Sequence, residues 1–397
     1  MKRISILATG VCAAACGAAV FAATPAAAPP IATYWMDAAT SSGFGAGMMG
    51  GGARPNMSQM MNMMSGNAPS VAHTLELRLA SKTKAPAAPT ANHLIPANLQ
   101  MGPSLPLVTP PAPKPVKETY GMPPGYEKPK GRMLIYWGCG EHASAGQPTV
   151  IDFAKLAAGQ VPPGMAAMAN VARMAAVPRT ASGFGEWPNT KDSRPVPATG
   201  SLVGAHKIEG NYSPPIGFTL AQDFMPSLNL REAGALPSGA TRLAWTVAPT
   251  ATGYALAMFG GTQTGDVIVW TSAKSAAMTP AMDYLPPSEV KKLVASGHVL
   301  APSTSECVLP AEVAKASPSG MIMAIGYGPE AHFAEAPKAP KWVAKARFKT
   351  TASLMLGMPQ MGAAPGTVPG QQQQPPKKKK RFGIGDVLKG AIPIPGQ

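Results

Sequence analysis

Residues 242–272 read RLAWTVAPTATGYALAMFGGTQTGDVIVWTS, and this stretch decides the fold. Three runs rich in apolar and aromatic residues, 242–247, 252–259 and 266–272, are separated by Pro249-Thr250 and Gly260-Gly261. Val, Ile, Trp, Tyr and Phe fit a pleated, half-buried surface, and Pro and Gly break that surface into turns. Two more runs follow: 321–327 after Pro318-Ser319-Gly320, and 342–354, where Trp342, Val343, Ala346 and Phe348 stand among lysines. Short strands at this spacing predict a mainly β chain with a β-sandwich core over 236–354. One short inserted helix is expected at 288–296: Ser288 caps it, Val290, Leu293 and Val294 share a face, and Gly297 stops it.

Working outward, 131–235 reads as a second β-rich region. Met133-Leu134-Ile135-Tyr136-Trp137 suits a buried strand ending in Gly138-Cys139-Gly140. A further strand is expected at 149–153 and one helical turn at 153–158, before a loop-rich middle. Residues 81–130 form a Pro-rich linker, in which Pro110-Pro111-Ala112-Pro113-Lys114-Pro115 favours extended polyproline geometry. Before it, 71–80 is a strand, because Leu75, Leu77 and Leu79 alternate with Glu76 and Arg78. Residues 23–70 are expected to be disordered and rich in Met and Gly. Ile31-Ala32-Thr33-Tyr34-Trp35-Met36 is the exception, aromatic enough to dock as a strand. Residues 355–397 read as a disordered basic tail.

Compartment is read from residues 1–22. Lys2 and Arg3 precede an uncharged apolar run at 4–21, and Val20-Phe21-Ala22 is a small-x-small exit. These are the parts of an export signal. Ala13-Ala14-Ala15-Cys16-Gly17 offers a lesser alternative, a lipoprotein box in which Cys16 would carry the lipid. The expected location is the periplasm or the exterior, with no transmembrane span after cleavage.

The 45 Pro and 42 Gly make up about 22% of the 397 residues, close to the range of low-complexity chains, so the core must come from a few strands. The net charge is +15. Lys377, Lys378, Lys379, Lys380 and Arg381 supply a dense share of it, just before Phe382, Ile384, Val387 and Leu388. Such a segment suits attachment to an anionic envelope surface, lipid headgroups or lipopolysaccharide, or to an acidic protein. Export removes the context for nuclear import or nucleic-acid binding.

Of four cysteines, Cys12 and Cys16 leave with the signal, and Cys139 and Cys307 read as one disulfide in an oxidising compartment. Gly138-Cys139-Gly140-Glu141-His142 also places a thiol, a carboxylate and an imidazole together. A Cys139-dependent enzyme is therefore an alternative, provided the thiol is free and the imidazole reaches it. Met57, Met60, Met61, Met63 and Met64 have a spacing that lets thioethers share a soft ion. A periplasmic Cu(I)-binding protein is the first alternative, ahead of the Cys139 enzyme, with copper as its cofactor. Otherwise no cofactor is expected. The chain has no phosphate loop, no G-x-S-x-G, no H-E-x-x-H and no paired C-x-x-C, so no catalytic residue is assigned. Asp223 and Asp283 read as turn or cap residues.

Leu243-Ala244-Trp245-Thr246-Val247, Pro249 and Ala251-Thr252-Gly253-Tyr254-Ala255-Leu256 resemble the B–C hairpin of fibronectin type III domains. The resemblance implies that Trp245 and Tyr254 pack the core between two sheets. It ends where a helix intrudes at 288–296 and where 321–327 lacks a Tyr-centred F-strand pattern. Tyr34-Trp35-Met36-Asp37, Trp137-Gly138-Cys139-Gly140 and Tyr327-Gly328-Pro329-Glu330 are similar to uncharacterised exported proteobacterial proteins, which brings no activity. The expectation is an exported, non-enzymatic envelope protein, a structural or binding module.

Overall fold

The computed structural model describes residues 29–46, 71–111, 131–157, 183–262, 264–276 and 283–357. The runs at 242–272 become β11 (Thr241–Ala244), β12 (Gly253–Gly261) and β13 (Val267–Thr271). The later runs become β15 (Gly320–Ala334) and β16 (Trp342–Leu356), both longer than the sequence suggested. β1 (Ala32–Gly43), β2 (Val71–Ser81), β5 (Arg132–Trp137), β6 (Thr149–Asp152) and β7 (Gly183–Trp187) join them. Together these strands form a nine-stranded sheet in the order β6-β5-β13-β12-β15-β16-β1-β2-β7. The pairs β1–β16 and β5–β13 are parallel and the other pairs antiparallel.

Two smaller sheets pack on one face of this large one. β3 (Ala91–Leu94), β4 (Ser104–Pro106), β8 (Gly204–Gly210) and β9 (Ile216–Leu220) form a sheet in the order β4-β3-β8-β9. β10 (Arg231–Ala235), β11 and β14 (Glu306–Leu309) form the other, in the order β10-β11-β14. Strand side chains alternate between faces. Tyr34, Met36, Leu77, Leu79, Leu256, Met258, Trp270, Ile322, Ala346 and Phe348 therefore point inward from the large sheet. They meet Leu99, Leu105, Ile208, Ile216, Leu243 and Leu309 from the small sheets in one continuous core. The protein is thus mainly β and built from several sheets.

Several expectations are corrected. The docking strand at 31–36 is longer than expected, and β1 lies inside the sheet, between β2 and β16. Its burial explains this: Tyr34, Met36 and Asp37 are all covered. The Pro-rich linker is folded over 81–111, where His93, Leu99, Met101, Leu105 and Leu107 are buried. Its prolines sit where they cost no ladder hydrogen bond: Pro96 precedes a 3-10 turn, and Pro106 lies on the edge strand β4. The boundary drawn between 235 and 236 is crossed by the β10–β11 pairing. Among the described residues there are three α-helices: α1 (Phe153–Ala157), which is the helical turn expected at 153–158, α2 (Pro287–Ala295) and α3 (Ala311–Ala316), which was not expected. α2 is the expected helix, opened by Pro286-Pro287 rather than capped by Ser288, and its buried Val290 packs with Ala255, Val299, Ile325 and Tyr327 on the outer face of the large sheet. None of these helices is long and apolar enough to cross a membrane.

One irregularity sets side-chain direction. β15 shifts register against β16 between Tyr327 and Glu330, around Gly328-Pro329. Pro329 has no N–H to give the ladder, and one extra residue moves every later side chain to the opposite face. Phe333, paired with Ala344, is turned inward, and Glu330, paired with Arg347, is turned outward.

Candidate functional site: a disulfide junction and two buried polar clusters

β5 ends in Gly138, whose φ of +92° suits a residue without a Cβ. Its carbonyl accepts from Trp270 Nε1 at 2.9 Å. This turn aims Cys139 at β14, where it is bonded to Cys307 with the Cα atoms 5.2 Å apart. Gly140 N–H donates to the Val308 carbonyl at 2.9 Å, and Ala311 N–H donates to the Glu141 carbonyl at 3.0 Å. The junction staples the nine-stranded sheet to the three-stranded one. His142 faces Glu312 rather than sulfur, with Nδ1 3.0 Å from Oε1. Ala143 N–H donates to the other Glu312 oxygen at 2.8 Å. That backbone donor, with His142 beside it, holds the Glu312 carboxyl below its ordinary range. As a disulfide, Cys139 offers no thiol, so the residues of the enzyme alternative form a dock instead.

Trp245 and Tyr254 are both buried, with ring centroids 5.6 Å apart. Trp245 follows β11 in the small sheet, and Tyr254 lies on β12 in the large one. Tyr254 Oη accepts from Ala248 N–H at 2.8 Å, which ties the Pro249 turn to the core. Gly326 makes room opposite: a Cβ there would lie 3.0 Å from the Tyr254 ring.

The first polar cluster lies on the outer face of β1. Asp37 is 1% exposed. Arg347 on β16 grips it with two nitrogens, Nε reaching Oδ1 at 2.5 Å and Nη2 reaching Oδ2. Arg78 on β2 adds Nη1 to Oδ2 at 2.7 Å and also pairs with Glu76. The Arg347 guanidinium lies 4.8 Å from the Tyr284 ring centre, and Lys349 Nζ lies 4.1 Å from it. Burial, with Asp37 nearby, pushes the Tyr284 hydroxyl well above its ordinary value. One carboxylate therefore joins three neighbouring strands.

The second cluster lies on the inner face of the same strand. Tyr34 Oη is 2.9 Å from His93 Nδ1, and His93 Nε2 is 2.9 Å from His206 Nδ1. His206 Nε2 is 2.7 Å from the Leu202 carbonyl. All three side chains are buried. A carbonyl only accepts, so His206 carries its proton on Nε2 and accepts at Nδ1. His93 must then donate from Nε2 and accept the Tyr34 hydroxyl proton at Nδ1. Burial, reinforced by His206, holds His93 well below the ordinary histidine value. Burial lowers His206 as well, against the opposing bond to Leu202.

Asp223 accepts from Ser201 Oγ, Leu202 N–H and Phe224 N–H at 2.6, 2.9 and 2.8 Å, and so fixes the segment that carries the Leu202 carbonyl. Asp283 accepts from Lys349 Nζ at 3.2 Å. Residues 1–22 with Cys16, the tract of Met57, Met60, Met61, Met63 and Met64, and Lys377, Lys378, Lys379, Lys380 and Arg381 lie outside the described residues. Among those described, no group of three or more His, Cys, Asp or Glu side chains could hold a metal ion. Sequence reasoning missed Asp37–Arg347 and His93–His206, whose partners are 310 and 113 residues apart. For the histidines the one local signal was a polar residue at an inward position of an alternating strand. No protein-family model, curated protein or solved structure matches the chain.

Proposed function

We propose that the protein is an exported, non-enzymatic component of the cell envelope, a disulfide-stapled β scaffold that serves as a structural or binding module. The observation that carries this reading is the Cys139–Cys307 bond. Such bonds persist in oxidising compartments and are rare in the cytosol. The signal read at residues 1–22 supports the same compartment. The two buried polar clusters join strands and sheets, which suits a scaffold. The basic run from Lys377 to Arg381 provides the contact with an anionic surface or acidic partner. The fibronectin III-like reading of 242–272 is part of the proposal, supported by β11 and β12 lying in different sheets with Trp245 and Tyr254 packed between them.

Fractionation of the producing cell tests the location. The protein is expected with envelope or periplasmic markers, shortened by about the length of the signal. Recovery of the uncut chain with cytosolic markers would sink the proposal.

A further inference from the structure

We infer that the Tyr34–His93–His206 chain is an acid-sensitive latch between the four-stranded and nine-stranded sheets. Tyr34 belongs to β1 of the large sheet, His93 to β3 and His206 to β8 of the small one. The Tyr34–His93 bond thus spans the two sheets. A stack of rings spans them beside it: His206 lies on Phe218 of β9 (5.2 Å), and Phe218 lies on Phe333 of β15 (4.6 Å). The register shift around Gly328-Pro329 is what turns Phe333 inward to complete that stack.

The latch closes only when both histidines are neutral. Three gaps, Tyr34 to His93, His93 to His206 and His206 to Leu202, each hold one hydrogen, and the neutral side chains supply three. A fourth proton forces one donor to go without an acceptor, whichever way the chain reverses. It also leaves a positive charge in the core, a costly state without a carboxylate partner. The carboxylates on neighbouring elements are committed elsewhere. Asp37 faces the other side of β1 and is held by Arg347 and Arg78. Asp223 is held by Ser201, Leu202 and Phe224. Lys207 and Glu209 of β8 are exposed and pair with each other, while Glu330 and His332 pair on the outer side of β15. The aromatic faces of Phe218 and Phe333 provide no acceptor of comparable strength.

The sign follows from linkage. Both histidines sit below the ordinary value of 6.5 when folded. The closed state therefore keeps its full stability above pH 6.5 and loses it as pH falls, because the opened rings bind protons that the closed ones refuse. The device works whatever the protein's compartment.

Amide hydrogen exchange of the oxidised full chain between pH 7 and pH 5 reads the latch. After correction for intrinsic rates, amides of β3, β8 and β9 are expected to exchange about tenfold faster per pH unit for each proton taken up. Amides of β12 and β16 should hold. A His93→Gln/His206→Gln variant removes both rings and should show no such excess. His73, on β2 against Phe224, is present in both proteins, so its titration cancels. Should that variant fail to fold, ring nitrogen shifts of the unaltered protein decide. Both rings must stay neutral and protonated on Nε2 as the pH falls through 6.5, until the sheet opens. Rings that charge at the ordinary value without faster exchange would overturn the latch, as would a double variant that keeps the excess.

Discussion

Asp37→Asn is expected to lower folding stability by about 3–5 kcal/mol, the usual cost of removing one partner from a buried ion pair. The carboxylate is almost wholly covered, and Arg347 has little exposure of its own, at 11% of its side chain. Asparagine keeps the shape and one acceptor oxygen but cancels the charge. Arg347 would then stand in the sheet with no charged partner but the more distant Asp283, over the face of Tyr284, while Arg78 keeps Glu76. The loss falls at the junction of β1, β2 and β16, so it acts on the strand that completes the large sheet. Denaturant unfolding of the single variant and of Asp37→Leu/Arg347→Met separates the causes. The double variant removes both charges and should recover much of the loss, because an uncompensated ion costs more than an absent pair. A loss below about 1 kcal/mol in Asp37→Asn would show that the pair is solvated like a surface bridge.

The second large effect concerns the disulfide. Cys139 and Cys307 are separated by 168 residues, and removing a bond that closes such a loop is expected to cost about 2–5 kcal/mol. For a chain of this size that corresponds to a fall in Tm of roughly 4–10 °C. The loss should concentrate in the three-stranded sheet, which the bridge holds against β5 through Gly140 and Val308. Comparing oxidised protein with Cys139→Ser/Cys307→Ser by thermal unfolding reads the total. Proteolysis at low temperature reads its place, with cleavage expected first near β10 and β14. Equal Tm values for the two proteins would mean that the backbone bonds of the junction suffice without sulfur.

These effects rest on features that were unevenly visible in the sequence. Strands that alternate in plain hydrophobic terms were legible: Leu75, Leu77 and Leu79, or Trp342 to Phe348. β8 and β9 alternate just as regularly, with His206, Ile208, Ile216, Phe218 and Leu220 buried between exposed neighbours. Both fell in a loop-rich middle: β8 because its inward His206 counts as polar until its partner is known, and β9 because it is only five residues long. β1 was only half visible, since its second half, Ala38 to Gly43, is small and hydroxyl-bearing. Ala38 to Ser42 are buried beside β16, which arrives some 310 residues later. The same distance hid Asp37 and Arg347. The Pro-rich stretch misled in the opposite direction: prolines at an edge strand and before a turn are compatible with a folded segment. The cysteine pair needed no geometry to suggest, because the two cysteines outside the expected signal have one pairing.

The most direct test of the whole account is the intact mass of the purified native protein, measured before and after reduction. The account predicts a chain beginning near Ala23, without lipid, that gains two hydrogens on reduction as Cys139 and Cys307 separate. A mass matching the full 397 residues, unchanged by reductant and with both thiols free to alkylate, would contradict it.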